Sequence, residues 1–134
     1  PNVGEQMKPL AEIASGGELS RVMLAVKSIL SDGVDTLIFD EIDTGVSGSA
    51  AHKIAQKLSA LANGKQVICV SHQAQLAAAA DNHYFIRKNT EGDRTVTHIK
   101  RLDSDERIME IARITDGDNI TDTAIKHAKE MLGL

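Results

Sequence analysis

Two short apolar runs, "TLIF" at 36–39 and "QVICV" at 66–70, constrain this chain more than any other feature in it. Neither carries a charge. Such runs read as strands buried on both faces, as in a parallel sheet, because a half-exposed strand would alternate apolar with polar residues. Between them Ala51, Ile54, Ala55, Leu58, Leu61 and Ala62 recur at helical spacing, and Asn63-Gly64 supplies a stop. Parallel strands cannot be joined by a tight turn, so strand, helix, strand is the order that this pairing demands.

The flanking sequence extends the alternation. Ahead of the first strand, Leu19, Val22, Met23, Val26, Ile29 and Leu30 form one apolar helical stripe. Ser15 followed by Glu18 reads as its capping box, and Gly33 as its end. After the second strand, "SHQAQLAAAA" opens a short Ala-rich helix. "HYFIRK" and "RTVTHIKR" alternate around "NTEGD" and read as a β-hairpin. Helices near Ser104–Ile114 and Thr121–Leu132 close the chain, while Pro1–Ala14, which holds both prolines, reads as an irregular approach. The expected fold is α/β, a parallel sheet with flanking helices and a small C-terminal β-hairpin.

Composition narrows the function. With 134 residues and 42% hydrophobic content, one globular domain is expected. Fifteen basic against nineteen acidic residues, a net charge of -4, argue against coating nucleic acid by bulk charge. No apolar run approaches the roughly 18 residues of a membrane span. No signal peptide is visible. The single Cys69 lies in an apolar run and reads as a buried reduced thiol. Three aromatics (Phe39, Tyr84, Phe85) are too few for a base-stacking platform. The chain opens on Pro1 and not Met, as expected of a piece of something longer.

The chemistry-bearing residues stand at the ends of these elements. Asp40 and Glu41 follow the first strand directly, at the carboxyl edge where open α/β sheets bind ligands. Asp40 is suited to hold Mg²⁺, directly or through water, since that ion takes hard oxygen ligands and keeps several waters. Glu41 is suited to polarise a water for attack on a phosphoryl group. Ser71-His72 stands at the same place on the second strand, a position from which an imidazole could reach a γ-phosphate. Ser15, Gly16 and Gly17 open the first helix, whose free N–H groups and partial positive charge favour phosphate; the two glycines let the backbone press close to a ligand.

In this order, "SGGE", then "LIFDE", then "SH" resembles the second half of an ABC-type ATPase: signature motif, Walker B strand and switch-histidine loop. With "IASGGELSRVMLAVK", "TLIFDEIDTGVSG", "SHQAQLAAAAD" and "RIMEIARITDGDNITDTAIKHAKEML", nearly the whole chain, from about Lys8 to Leu132, is similar to the C-terminal part of the RecN family, bacterial DNA repair ATPases related to the SMC proteins. The resemblance implies a P-loop NTPase half-head spanning residues 1–134. Ser15, Gly16, Gly17 and Glu18 would contact ATP bound to the opposite subunit. Asp40 would help hold Mg²⁺, Glu41 would be the catalytic base and His72 would sense the γ-phosphate. Asp43, Thr44, Gly45 and Ser47, within the loop Asp43–Gly48, would communicate across a homodimer of heads. The implied partners are the N-terminal half of the same head, a second head and DNA, with no membrane, in a cytoplasmic, nucleoid-associated setting. Ala14 stands where most ABC proteins have Leu, Glu18 where transporters often have Gln, and Ser47 where the general dimer-contact loop has Asp. The serine matches the RecN pattern and leaves Asp43 as the expected cross-dimer side chain.

A Walker A loop needs G-x-x-x-x-G-K-[ST], and no two glycines here are five apart; Gly64-Lys65 is followed by Gln66. Nor is there a long heptad stretch. The expected arrangement is therefore a lobe whose apolar sheet edge is covered by another half, inactive as an ATPase by itself and prone to self-association. Three other readings fit parts of the pattern. "DEID" matches a DExD-type helicase, but Ser71-His72-Gln73 replaces the Ser-Ala-Thr type of motif and "SGGELS" is unexplained. Asp40, Asp43, His52 and His72 supply ligand types for a metal hydrolase. Arg87, Lys88, Arg94, Lys100 and Arg101 on the hairpin suit a non-enzymatic DNA- or protein-binding module, although Glu91 and Asp93 lie among them.

Overall fold

The computed structural model describes residues 15–30, 33–91 and 94–134. The approach expected over Pro1–Ala14, and Gly92 and Asp93 of the hairpin loop, lie outside the described residues. The chain divides into two compact units, Pro1–Ser71 and His72–Leu134.

The first unit holds α1 (Gly16–Ile29), β1 (Thr36–Phe39), α2 (Gly48–Leu61) and β2 (Gln66–Cys69). The strands pair in parallel, from Thr36 opposite Gln66 to Phe39 opposite Cys69. The ladder runs one residue further at each end, through Gln66 N–H to the Asp35 carbonyl and Val70 N–H to the Phe39 carbonyl. α2 buries the face read from its spacing: Ala51, Ile54, Ala55, Leu58 and Leu61. α1 starts at a complete capping box. The Glu18 N–H donates to Ser15 Oγ at 3.3 Å, and the Ser15 N–H donates to Glu18 Oε2 at 2.8 Å.

Three expectations need correction here. The strands are not buried on both faces. Leu37 and Phe39 are buried, but Ile38 is 70% exposed, and Ile68 and Val70 are exposed on the same side. Among the described residues no layer covers that face of a sheet only two strands wide. The apolar stripe of α1 likewise points outward: Leu19, Val22, Met23, Val26, Ile29 and Leu30 are all exposed, while Leu24 and Gly17 are buried. Leu19 and Met23 of α1 and Ile38 of β1 line an open apolar groove of about 270 Å³. Finally, α1 ends at Ile29 with Leu30 as its cap, short of Gly33.

The second unit holds α3 (Ala74–Ala79), β3 (Tyr84–Glu91), β4 (Arg94–Arg101), α4 (Ser104–Asp116) and α5 (Asp122–Leu132). β3 and β4 form the expected antiparallel hairpin, with Asn89, Thr90 and Glu91, read as loop, paired into the ladder. Its base closes through the Leu102 N–H to the His83 carbonyl, and Lys100 forms an ion pair with Glu106 of α4. α3, α4 and α5 pack around Ala74, Ile108, Ile111, Ala112, Ala124 and Ala128. Asp103 with Glu106 caps α4, and Thr121 caps α5. The Arg107 guanidinium donates to the carbonyls of Ala77, Ala78 and Ala80, the closest at 2.6 Å, and so satisfies the open C-terminal end of α3. No helix among the described residues is long and apolar enough to cross a membrane.

Candidate functional site

β1 ends at Phe39, and the backbone then turns sharply. Glu41 adopts φ +55, a left-handed conformation uncommon outside glycine. The turn closes through the Thr44 N–H to the Glu41 carbonyl at 3.1 Å and the Val46 N–H to the Asp43 carbonyl at 3.1 Å. Adjacent pairs of side chains therefore part. Ile42 and Asp43 are buried, whereas Asp40, Glu41 and Thr44 are exposed.

The start of α1 lies directly against this turn. A methyl group on Gly17 would come within 2.8 Å of the Glu41 carbonyl oxygen and 3.0 Å of Thr44 Cβ. One on Gly16 would come within 2.9 Å of Glu41 Oε2. The two glycines expected to bring backbone close to a ligand bring it close to the chain's own post-strand loop. Two residues that the sequence reading missed complete the contact. Ser20 Oγ donates to the Asp40 carbonyl at 2.8 Å, and Arg21 Nη1 donates to the carbonyls of Ile42 at 3.2 Å and Thr44 at 2.9 Å. The available signal was position: Arg21 lies one helical turn after Gly17 and shares its side of α1.

Within this block, Ser15 and Glu18 are engaged with each other. Ser15 Oγ donates to Glu18 Oε2 at 3.0 Å as well as accepting from its N–H. The backbone N–H and then the hydroxyl of Ser15 hold the Glu18 carboxyl below its ordinary value. The N–H groups of Gly16 and Gly17 take no part in the capping box.

Asp43 is 1% exposed and accepts a 2.6 Å hydrogen bond from Ser71 Oγ, at the end of β2. Cys69, two residues earlier and the last of β2, is half-buried, where full enclosure was expected. Burial, then the nearby carboxylates of Asp43 and Asp40, push its thiol up to about 11. His72 begins the second unit, directly before the α3 cap residue Gln73. Gly45 and Ser47 are exposed on the way into α2, with Ser47 its cap residue.

Asp40 fits the part of a magnesium ligand: an exposed carboxylate at a strand end supplies one hard oxygen donor and leaves the remaining positions to water and phosphate. The four-residue metal-hydrolase grouping does not form. Among the described residues no three His, Cys, Asp or Glu side chains gather for a metal, and His52 lies exposed on α2, hydrogen-bonded to Gln56.

No protein-family model matches the chain. Against individual proteins the similarity is extensive. It is 50% identical, over 99% of its length, to the DNA repair protein RecN of Halalkalibacterium halodurans. The values are 49% over 98% for RecN of Deinococcus radiodurans and 50% over 98% for RecN of Bacillus subtilis. The chain matches the C-terminal part of RecN. It spans about a quarter of the length of these RecN proteins, 23–24%. A solved chain from work on ATP-driven dimerization and DNA-stimulated activation of SMC ATPases superposes with a TM-score of 0.57 at 16% identity, covering 84% of this chain and 68% of that one. The fold is thus shared with that solved chain, and the sequence is similar to the C-terminal part of RecN proteins.

Proposed function

We propose that the chain is the C-terminal lobe of the ATPase head of a RecN-type DNA repair protein. In this reading the N–H groups at Gly16 and Gly17, with Ser15 and Glu18, form the edge that meets ATP held by an opposing head. Asp40 supplies a carboxylate oxygen to Mg²⁺, and the bound ion neutralises phosphate charge. Glu41 accepts a proton from the attacking water, and His72 hydrogen-bonds the γ-phosphate. The loop Asp43–Gly48 carries the state of one head to the other. The phosphate-cradling loop lies in the N-terminal half of the same head, which this chain's sequence does not include. DNA is the substrate that head closure serves, in a cytoplasmic, nucleoid-associated protein.

The observation that carries the reading is the contact of the α1 start with the Glu41 turn. The glycine pair and the acidic pair are built as one piece, held by Gly17, Ser20 and Arg21. The outward stripe of α1 and the open face at Ile38, Ile68 and Val70 support a second lobe that covers them. Burying about six such side chains favours association by several kcal/mol.

ATP turnover tests the proposal. The chain alone is expected to be silent, and a mixture with the N-terminal part of a RecN protein is expected to turn over in a Glu41-dependent way. Turnover by the chain alone that survives purification and disappears in Glu41→Gln would overturn the half-head assignment. A mixture unaffected by Glu41→Gln would overturn the role of Glu41.

A further inference from the structure

We propose that Asp43 is a positioning residue that acts through Ser71, fixing the backbone from which His72 departs. The inference rests on the ATPase reading above and adds to it a role for two side chains.

A carboxylate that is 1% exposed is costly to keep from water unless its oxygens are hydrogen-bonded. Ser71 supplies such a bond at 2.6 Å, in the short range of hydroxyl-to-carboxylate bonds. The loop around Asp43 is itself held. Arg21 grips the carbonyls of Ile42 and Thr44, one residue to either side. Ile42 is fully enclosed. Asp43 is therefore a fixed point, and Ser71 is tied to it.

The tie falls where the sheet stops supporting the chain. The last ladder bond past β2 is Val70 N–H to the Phe39 carbonyl. Ser71 follows that bond, and the Asp43 bond carries the connection between the two strands one residue further. Asp43 stands two residues after Glu41, and Ser71 one residue before His72. A side chain that must meet a phosphoryl group within a few tenths of an ångström needs its backbone held. The Asp43–Ser71 bond holds the last residue before His72 to the loop that carries Glu41.

The test uses a complete RecN protein with this C-terminal sequence, as wild type, Glu41→Gln, Ser71→Ala and Ser71→Thr. Steady-state ATPase, nucleotide affinity, thermal melting and peptide-resolved hydrogen exchange over 70–74 are measured together. Ser71→Ala is expected to lower kcat by about tenfold, the scale of one lost buried hydrogen bond. Nucleotide affinity should stay within about twofold, and exchange over 70–74 should rise. Ser71→Thr, which keeps the hydroxyl, should restore kcat and protection. Full activity in Ser71→Ala, while turnover still depends on Glu41, overturns the inference alone. Equal losses in Ser71→Ala and Ser71→Thr, tracking melting temperature, assign the pair to stability only and also overturn it. Turnover that persists in Glu41→Gln overturns the underlying reading, and the inference with it.

Discussion

The α-carbon of Gly17 faces the carbonyl oxygen of Glu41 so closely that a single added methyl would sit 2.8 Å from it. Gly16, one residue earlier, meets only the flexible carboxylate end of the same residue, at 2.9 Å. The neighbouring glycines should therefore fail differently. Gly17→Ala forces backbone apart and is expected to destabilise the chain by about 1–3 kcal/mol. Gly16→Ala is expected to change stability by no more than about 1 kcal/mol, because the carboxylate swings aside. Its displacement should nonetheless reduce turnover of a complete RecN protein, by up to about a hundredfold. Urea denaturation and ATPase assays on both variants separate the two effects.

Arg107 holds three carbonyls at the end of a six-residue helix whose N-cap residue makes no side-chain cap bond. Arg107→Ala is expected to cost about 1–3 kcal/mol, the range for buried polar groups left unsatisfied. Arg107→Lys should recover only part, because the ammonium is more strongly hydrated than a guanidinium and costs more to draw from water. Hydrogen exchange of the α3 amides before and after substitution is the direct measurement. An unchanged pattern in Arg107→Ala would show that the contact does not hold the helix.

The pair Lys100–Glu106 predicts a pH dependence on both sides of neutrality. The hydrogen bond from Lys100, then that from the Asp103 backbone, lowers the Glu106 carboxyl. Its stabilisation is present above the ordinary glutamate value and fades as pH falls through the lowered one. The bond to Glu106 raises the Lys100 ammonium, so its share is full below the ordinary lysine value and fades as pH rises through the raised one. Glu106→Gln should lower the melting temperature at neutral pH, and the gap from wild type should close in acid. A gap that stays constant down to strongly acidic pH would contradict the assignment.

Cys69 should be a slow thiol. With its pKa pushed up to about 11, almost no thiolate exists at pH 8, and thiolate is the reactive form. Alkylation of the folded chain by iodoacetamide is expected to lag far behind that of the urea-unfolded chain at this pH. Equal rates would show that neither burial nor the Asp43 and Asp40 charges reach the sulfur.

Much of this was readable from residue order, and the exceptions share a physical cause. The pairing of Thr36–Phe39 with Gln66–Cys69, the Ser15–Glu18 box and the buried face of α2 follow from rules local to each segment. The exposure of Ile38 does not, because an apolar strand has the same sequence whether or not a second layer is present. The grip of Ser20, Arg21 and Arg107 was also hidden. Their partners are backbone carbonyls, which every residue has, so no letter in the sequence marks them. Asp43 was singled out as part of a loop expected to act across a dimer, but not as the buried partner of Ser71, since the two lie 28 residues apart.

The alanine-built contact among α3, α4 and α5 has a mechanical consequence. Ala74, Ala112, Ala124 and Ala128 bring to this contact methyl groups with no rotamers to change, and the buried Ile108 and Ile111 fill the space between them. Such a seam has almost no slack. A displacement of α3 there meets few side chains that can yield by changing rotamer, which favours movement of the three helices together. The residues that follow His72 are thereby mounted on a stiff support and not on a cushion.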